Sequence, residues 1–576
     1  MSPIVELELA LRSLGLPLAS FLTYYATRKW LSLTGNNTER LNIFATGDPA
    51  ILEEFSGRKP KVFIVIPSYN DRSIEETLPK WFNQNYENYE VIVAEDGNKS
   101  YDFVSDTVER EEHEYRIPNR DVRRCITIEK KKPKNGNLDE ILVVRKYIED
   151  KKDYRKDRKG FKAGALNNVI HLVDLGIIQE ELNTEKPDYV MIVDADHEPG
   201  RNPLLGWILG KKCKIRRIEE NKPLKEEDYR KLDDLLKPFE EEGKEILTLD
   251  SYKLNSRLMD DPNSLVTRLV ELMEYHRKFI PWLAVVQGYQ NHYANQQRGL
   301  DLLVKSAHII AQWDIKLRSA RIKIEVENLE NGERKNYSNR METRLTTILN
   351  RKWRKINEFI ENGKKHRVYI SNHRFPLFTG SSGIIRFDLL PKYKFADDIF
   401  NNYLSVTEDW ELSTRLQKDR YLVMATHQVE TWGRPPENFE AYKKQQYRWA
   451  YGTMKDIKHH FKNILNSNNL EFDEKFGFLA QLSHYIGGLL QPLIYMGIVL
   501  PFTGIINYTF LDYILMTYWF ISQFMVEEMI GYVQCKDKLM LESIKRYFTI
   551  GPVYGKAITD ALLSKDLNWI PTRRTK

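Results

Sequence analysis

Three short runs of β-branched and aromatic residues, each stopping at polar residues, constrain this chain most. They are Lys61-Val-Phe-Ile-Val-Ile66 before Pro67, Ser68 and Asn70; Tyr89-Glu-Val-Ile-Val-Ala94 before Glu95-Asp96-Gly97; and Tyr189-Val-Met-Ile-Val193 before Asp194. Runs of this length and composition, ended by turn formers, are predicted to be buried strands. A helical stretch separates the first two. Strand, helix, strand opens a parallel α/β sheet, whose ligands bind beyond the carboxyl ends of the strands.

The residues at those ends carry the chemistry. Asp96 is placed to accept a hydrogen bond from a base N–H or a ribose hydroxyl, although Asp96-Gly97 also reads as a plain turn. Asp194 and Asp196 follow the third strand, and residues two apart in an extended chain point the same way. Two such carboxylates suit Mg²⁺ or Mn²⁺, with positions left open for water and phosphate. Upstream, Lys159-Gly-Phe-Lys-Ala-Gly-Ala-Leu-Asn-Asn168 begins a helix with small residues and places Lys162 to meet phosphate as a point charge. The alternative is a solvated lysine beside a helix.

Further along, Thr407-Glu-Asp409 opens the predicted helix Asp409-Trp-Glu-Leu-Ser-Thr-Arg-Leu416. Taken alone, Thr407 reads as its cap and the acids as complements of the helix dipole. Gln445-Gln-Tyr-Arg448-Trp449 lies in another helical stretch, where Tyr442, Gln445 and Trp449 share a face. Taken alone, Trp449 reads as core.

In this order, Ile66-Pro-Ser-Tyr-Asn70, Asp96, Lys162-Ala-Gly-Ala-Leu166, Asp194-x-Asp196, Thr407-Glu-Asp409 and Gln445-x-x-Arg448-Trp449 resemble the inverting family-2 glycosyltransferases of GT-A fold. The branch they resemble is that of the cellulose, chitin and hyaluronan synthases. Val286-Gln-Gly288, Gly380-Ser-Ser-Gly383 with Arg386, and Trp569-Ile-Pro-Thr572 share the resemblance, which spans roughly residues 60 to 570. It implies a UDP-sugar donor, with Asp96 on the uracil, Asp194 on the ribose or the metal, and Asp196 on the metal. It implies Asp409 as general base, Arg448 and Gln445 at the diphosphate, and Trp449 and Glu408 at the acceptor. The implied acceptor is a glycan hydroxyl, or alternatively a lipid-linked one; an inactive nucleotide-sugar-binding subunit is the alternative outside enzymes.

A chain of 576 residues is too long for one ordinary domain. The reading divides it into an N-terminal interfacial region (1–59), an α/β catalytic domain (60–470) and a C-terminal membrane region (471–576). The net charge of +6 comes with Lys and Glu thoroughly mixed, without the concentrated basic footprint of a nucleic-acid binder. Cys125, Cys213 and Cys535 form no metal spacing or disulfide framework, as suits a reducing compartment. Two charged insertions, roughly 210–280 and 316–373, are predicted to be mostly helical. In the second, Leu345, Ile348, Leu349, Trp353, Ile356 and Ile360 fall on one helical face among basic residues, a pattern that suits an anionic membrane surface or an ordinary packed helix.

Gly477 to Ile506 contains no Asp, Glu, Lys or Arg, and is longer than the ~20 residues that span a bilayer. Phe510 to Val533 is a second candidate, with Asp512, Glu527 and Glu528 inside it. Lys475 before the first stretch and Lys536, Lys538, Lys545 and Arg546 after the second put both flanks on the cytosolic side. The expectation is a cell-membrane protein with two spans, a cytoplasmic catalytic domain and a C-terminal interfacial helix over Tyr547 to Leu563. Leu11 to Tyr25, short and interrupted by Arg12 and Pro17, reads as interfacial, and no secretory signal is expected. Two spans wall no channel for a polymer, so export implies a homo-oligomer or a channel partner. If Gly477 to Ile506 spans the bilayer, alkaline carbonate washing leaves the protein in the membrane pellet. Complete release into the wash would show that this stretch is not a span.

Overall fold

The computed structural model describes residues 58–69, 71–95, 108–115, 124–133, 140–148, 161–200, 261–279, 281–293, 324–330, 334–336, 354–361, 364–370, 377–395, 405–470 and 540–565, with a few isolated positions between them. The predicted strands form where the apolar runs lie: β1 (Val62–Ser68), β2 (Tyr89–Glu95) and, after β3 (Val108–Tyr115), β4 (Arg124–Pro133) and β5 (Ile141–Ile148), β6 (Tyr189–Ile192). Along β1, Val62, Ile64 and Ile66 enter one core and Phe63 and Val65 the other. A strand buried on both faces has no solvent side, which is why the run is apolar at every position.

Strands β5, β2, β1 and β6 are mutually parallel. Beyond β6 the sheet turns mixed: β13 (Gly383–Arg386) lies antiparallel between β6 and β8 (Leu283–His292), and β14 (Leu422–Gly433) runs parallel to β8. β7 (His197–Pro199) closes one edge and the β3–β4 hairpin the other, for ten strands in all. Pro67 does not end β1 as its position suggests. It pairs only with Ala94 of β2, because the β6 pairing stops at Val65 and no second neighbour needs its missing N–H.

Helices cover both faces. One is packed by α1 (Phe161–Asp174) through Ala163, Leu166, Val169 and Val173, with the short α2 (Ile177–Leu182) beside it. The other is packed by α3 (Leu265–Phe279), with Trp81 and Phe82 from the segment after β1. α4 (Glu408–Lys418) precedes β14, and the long α5 (Phe439–Leu465) follows it. α6 (Met540–Leu562) lays Ile550, Tyr554, Ala557 and Ala561 against Tyr442, Ala450 and Tyr451 of α5. Thus the predicted helix at Tyr547 starts earlier, and α5 takes one of its faces.

The second insertion corrects the helical expectation for 316–373. Its described residues form a four-stranded antiparallel sheet of β9 (Ile324–Asn328), β10 (Arg334–Asn336), β11 (Arg354–Glu361) and β12 (Lys364–Ile370). Ile356 and Ile360 therefore lie on a strand, not a helix face. Two Asn-Gly pairs, Asn331-Gly332 and Asn362-Gly363, stand between the paired strands and are the hairpin signal that the apparent helical periodicity masked. Opposite charges occupy paired positions, such as Glu358 with Arg367 and Glu327 with Arg334. In the first insertion the described helix is α3, while most of residues 201–260 lie outside the described residues. So do residues 1–57, and the apolar stretches 477–506 and 510–533 apart from isolated positions. Among the described residues no helix is long and apolar enough to cross a membrane.

Gly288 of β8 lets two backbones meet. Its N–H donates to the Ser382 carbonyl at 2.6 Å, and a Cβ would sit 2.9 Å from the Val429 carbonyl and 3.1 Å from that of Ser382. Main-chain atoms cannot rotate away, so Gly288→Ala is expected to destabilise the protein by ~1–3 kcal/mol. Thermal unfolding of the variant checks this, and an unchanged midpoint would contradict the close packing.

Candidate active site

β6 stops at Ile192, and the chain turns so that the His197 N–H donates to the Asp194 carbonyl at 2.9 Å. Asp194 and Asp196 therefore meet across a turn rather than along a strand pleat. Ligand atoms of Asp194, Asp196 and His197 lie within 4.8 Å of one another. Asp196 and His197 are buried and Asp194 is half-buried.

Side chains from elsewhere pin this turn. Thr77 Oγ1 donates to the Ala195 carbonyl at 2.6 Å, and Trp81 Nε1 to that of His197 at 3.1 Å. Ser381 Oγ accepts from the Asp194 N–H at 3.0 Å and lies 2.7 Å from His197 Nδ1. Two carboxylates and an imidazole, locked by their neighbours, are a donor set that Mn²⁺ or Mg²⁺ accepts.

Lys162, in the first turn of α1, reaches across the turn. Its Nζ donates to Asp194 Oδ1 at 2.5 Å and to the Gly380 carbonyl at 2.8 Å, and stands 3.4 Å from Glu408 Oε1. One ammonium thus ties the Asp194 turn to the Gly380 loop, 218 residues from Lys162 in sequence, and to the start of α4. Gly380 is required twice: its φ is +79°, and a Cβ would approach Asp409 Oδ2 to 2.8 Å. The loop around it is braced by β8, where Gln287 Oε1 accepts from the Thr379 N–H at 2.6 Å and Gln290 Nε2 donates to the Ser381 carbonyl at 2.8 Å. Ser382 adopts φ +65°, strain that its buried bond to Thr431 and its N–H bond to the Ile192 carbonyl (3.0 Å) hold in place.

Asp409 stands in the first turn of α4, its Oδ1 accepting from the Trp410 N–H at 2.8 Å. Part of its surface remains open, but most of the carboxyl is desolvated, which pushes its pKa up to about 7. The Glu408 and Asp194 carboxylates add to the rise, while Lys162 and the Trp410 amide oppose it. For Lys162, burial works against the charge, but Asp194 and Glu408 outweigh it and hold the ammonium above its ordinary range.

Thr407 does not cap α4. Its hydroxyl donates instead to Asp456 Oδ2 of α5 at 2.6 Å. α5 is itself capped, with Asn438 Oδ1 accepting from the Ala441 N–H at 2.9 Å. It carries Gln445, buried, with Arg448 and Trp449, both half-buried. Gln445 Oε1 makes no hydrogen bond among the described residues. Asp96 lies just beyond the end of β2 and outside the described residues. The structure therefore joins Lys162, Asp194, Asp196, Glu408 and Asp409, and sets α5 against the turn that leads into α4. Gln287 and Ser381, which sit in the Val286-Gln-Gly288 and Gly380-Ser-Ser-Gly383 segments, add bracing, as does Gln290 two residues beyond the first of them.

Residues 351–527, less than half of the chain, match the family model "Glycosyl transferase family group 2". The matched segment contains Gly380, Thr407-Glu-Asp409 and Gln445 to Trp449, and supports a family-2 glycosyltransferase. Comparison with curated proteins finds no match. Among solved structures, the chain is similar to the mannosyltransferase PcManGT from Pyrobaculum calidifontis in complex with GDP-Man and Mn²⁺. The two are 13% identical, with 96% of this chain and 99% of that chain covered. At a TM-score of 0.40 the likeness carries no argument for fold or chemistry.

Carbodiimides modify protonated carboxyls. Labelling of Asp409, followed by mass spectrometry across pH, should fall with a midpoint at about 7. A midpoint in the ordinary carboxylate range would contradict the desolvated, acid-flanked setting.

Proposed function

We propose that this chain is a metal-dependent inverting glycosyltransferase of GT-A type. It moves a sugar from a nucleotide diphosphate sugar, UDP-linked, onto a hydroxyl of a glycan acceptor. The observation that carries the reading is the Lys162 ammonium, which gathers Asp194, the Gly380 carbonyl and Glu408 beside Asp409. Those residues belong to separate motifs that have little reason to converge unless they share one substrate.

Asp194 and Asp196, with His197 beside them, would hold Mg²⁺ or Mn²⁺. When bound, the cation supplies positive charge at the diphosphate leaving group. Lys162 is in reach of the same anion, and Arg448 and Gln445 of α5 complete its binding. Asp96, at the end of β2, holds the uracil. Asp409 takes the proton from the acceptor hydroxyl as that oxygen bonds to the anomeric carbon; the bond from that carbon to the diphosphate oxygen breaks, and the nucleoside diphosphate leaves with the electron pair. One such displacement inverts the anomeric centre. A carboxylate with a raised pKa is a stronger base than an ordinary one, and it acts in its ionised form, so turnover rises with pH through about 7. Trp449 offers an apolar face to the acceptor sugar, and Glu408 a hydrogen-bond acceptor to its hydroxyls.

The apolar stretches Gly477 to Ile506 and Phe510 to Val533 support a location in the cell membrane, and the basic residues that flank them support a catalytic face toward the cytoplasm. With two spans per chain, export of a polymer calls for a homo-oligomer or a channel partner. The same count favours a second reading, a non-processive transferase whose acceptor is lipid-linked.

The test incubates the full chain in lipid with a panel of radiolabelled nucleotide sugars and either Mg²⁺ or Mn²⁺, and sizes the product. Wild type is expected to transfer sugar, while excess chelator and Asp196→Asn abolish transfer, since an amide cannot replace a charged hard ligand. Asp409→Asn should keep UDP-sugar affinity and lose ~100-fold or more in transfer. Full activity of Asp196→Asn, or normal transfer with lost nucleotide affinity in Asp409→Asn, would overturn these roles. A single sugar on a lipid phosphate would decide for the second reading.

A further inference from the structure

α5 lies against the turn that delivers Asp409, and the contact is specific. Asp456 is fully buried on α5 and accepts two hydroxyls, from Ser405 at 2.8 Å and from Thr407 at 2.6 Å, both on Oδ2. Ser405 Oγ also accepts the Thr407 N–H at 3.0 Å, so the turn is closed on itself and tied to α5 at once. One turn earlier on α5, Gly452 leaves room for this. A Cβ there would lie 2.7 Å from Thr407 Oγ1 and 2.8 Å from Val406 Cγ2. One turn later, His460 Nε2 meets Glu411 Oε1 of α4 at 2.8 Å, and Arg415 holds the same carboxylate at 2.7 Å. Gln445, Trp449, Gly452, Asp456 and His460 follow one another at spacings of three or four, so they form one stripe along α5.

A threonine that opens a helix ordinarily gives its side chain to that helix's own free amides. Here the hydroxyl goes to another helix, while in the first turn of α4 the Asp409 carboxylate accepts from the Trp410 N–H and the Thr407 carbonyl from the Glu411 N–H. The turn that leads into Asp409 is therefore tied to α5. A buried carboxylate oxygen that accepts two hydroxyls of one turn holds that turn against α5 at two points.

We infer that Asp456, acting through Thr407 and Ser405, is a positioning residue that sets Asp409 against Lys162 and couples it to the α5 stripe carrying Gln445 and Trp449. This rests on the proposed role of Asp409 as base. The consequence is a division of labour: the donor is held by the Asp194–Asp196 turn, pinned by Thr77, Trp81 and Ser381, and by Gln445 and Arg448 on α5 itself, none of which needs the Thr407–Asp456 bond, while the chemical step depends on the Asp456 anchor. A base displaced by about 1 Å loses on the order of 100-fold in rate even when binding is intact.

The experiment uses the full chain in lipid, with Thr407→Val, Thr407→Ser and Asp456→Asn. Thr407→Val is nearly isosteric and keeps the variant set informative should Asp456→Asn fail to fold. Binding of UDP with Mn²⁺ is measured by calorimetry, turnover with the nucleotide sugar that wild type consumes, and amide hydrogen exchange over residues 405–411. Thr407→Val is expected to lose about 10- to 100-fold in kcat, with UDP affinity and donor KM within about twofold of wild type. Thr407→Ser, which retains the hydroxyl, recovers most of that loss, and exchange over 405–411 quickens in Thr407→Val but not in Thr407→Ser. Wild-type kcat in Thr407→Val overturns the inference, as does a parallel loss of kcat and UDP affinity, which marks a merely structural contact. If wild type consumes no nucleotide sugar, the functional reading fails by itself, and the anchor is decided by exchange: unchanged protection over 405–411 in Thr407→Val then overturns it.

Discussion

The ammonium of Lys162 is the interaction on which the rest of the site depends. It contacts the Asp194 carboxylate, the Glu408 carboxylate and the Gly380 carbonyl, and lies within electrostatic reach of Asp409. Without it, three acidic side chains would face one another in a partly desolvated cleft, where like charges are costly. Such a cluster is weak evidence for stability, because desolvating four charged groups offsets much of their attraction. It serves better as a charge balance: one cation lets several carboxylates share a cleft, and leaves one of them, Asp409, basic enough to take a proton near neutral pH.

Around that balance the fold supplies rigidity in two halves. The sheet half fixes the Asp194–Asp196 turn and the loop at Gly380, through Thr77, Trp81 and Ser381 on one side and Gln287 and Gln290 on the other. The helical half fixes Asp409 through α5, with Asp456 on Thr407 and His460 on Glu411. The halves meet at one close approach, Gly380 against Asp409, and the helical half closes on itself at another, Gly452 against Thr407; at both a Cβ would collide. Small residues at these points let two layers of structure come within hydrogen-bond distance.

Much of this was legible in the sequence, and for identifiable reasons. Strands buried on both faces leave uninterrupted apolar runs, so β1, β2 and β6 could be located to within a residue or two. The carboxylates at their ends followed, although Asp194 and Asp196 converge through a turn whose hydrogen bonds come from distant residues. Local signals misled where two periods competed. Residues 354–361 carry apolar positions that fit a helix, yet they pair as β11, and the Asn-Gly dipeptides were the better guide. Thr407 looked like a cap because capping is a local rule, whereas its actual partner, Asp456, is 49 residues away. Gly452 and Asp456 belong to no short motif; only their spacing from Gln445 and Trp449 along α5 hints at them.

Lys162→Met keeps the aliphatic stem and removes the charge. The pH dependence of sugar transfer, compared between this variant and wild type, bears most directly on the central role of the ammonium. Since the Lys162 charge lowers the Asp409 pKa, its loss should move the acidic limb of the profile from about 7 to higher pH. Affinity for the nucleotide sugar should fall at the same time. An acidic limb at the wild-type position, with donor affinity unchanged, would show that Lys162 does not hold the cluster together.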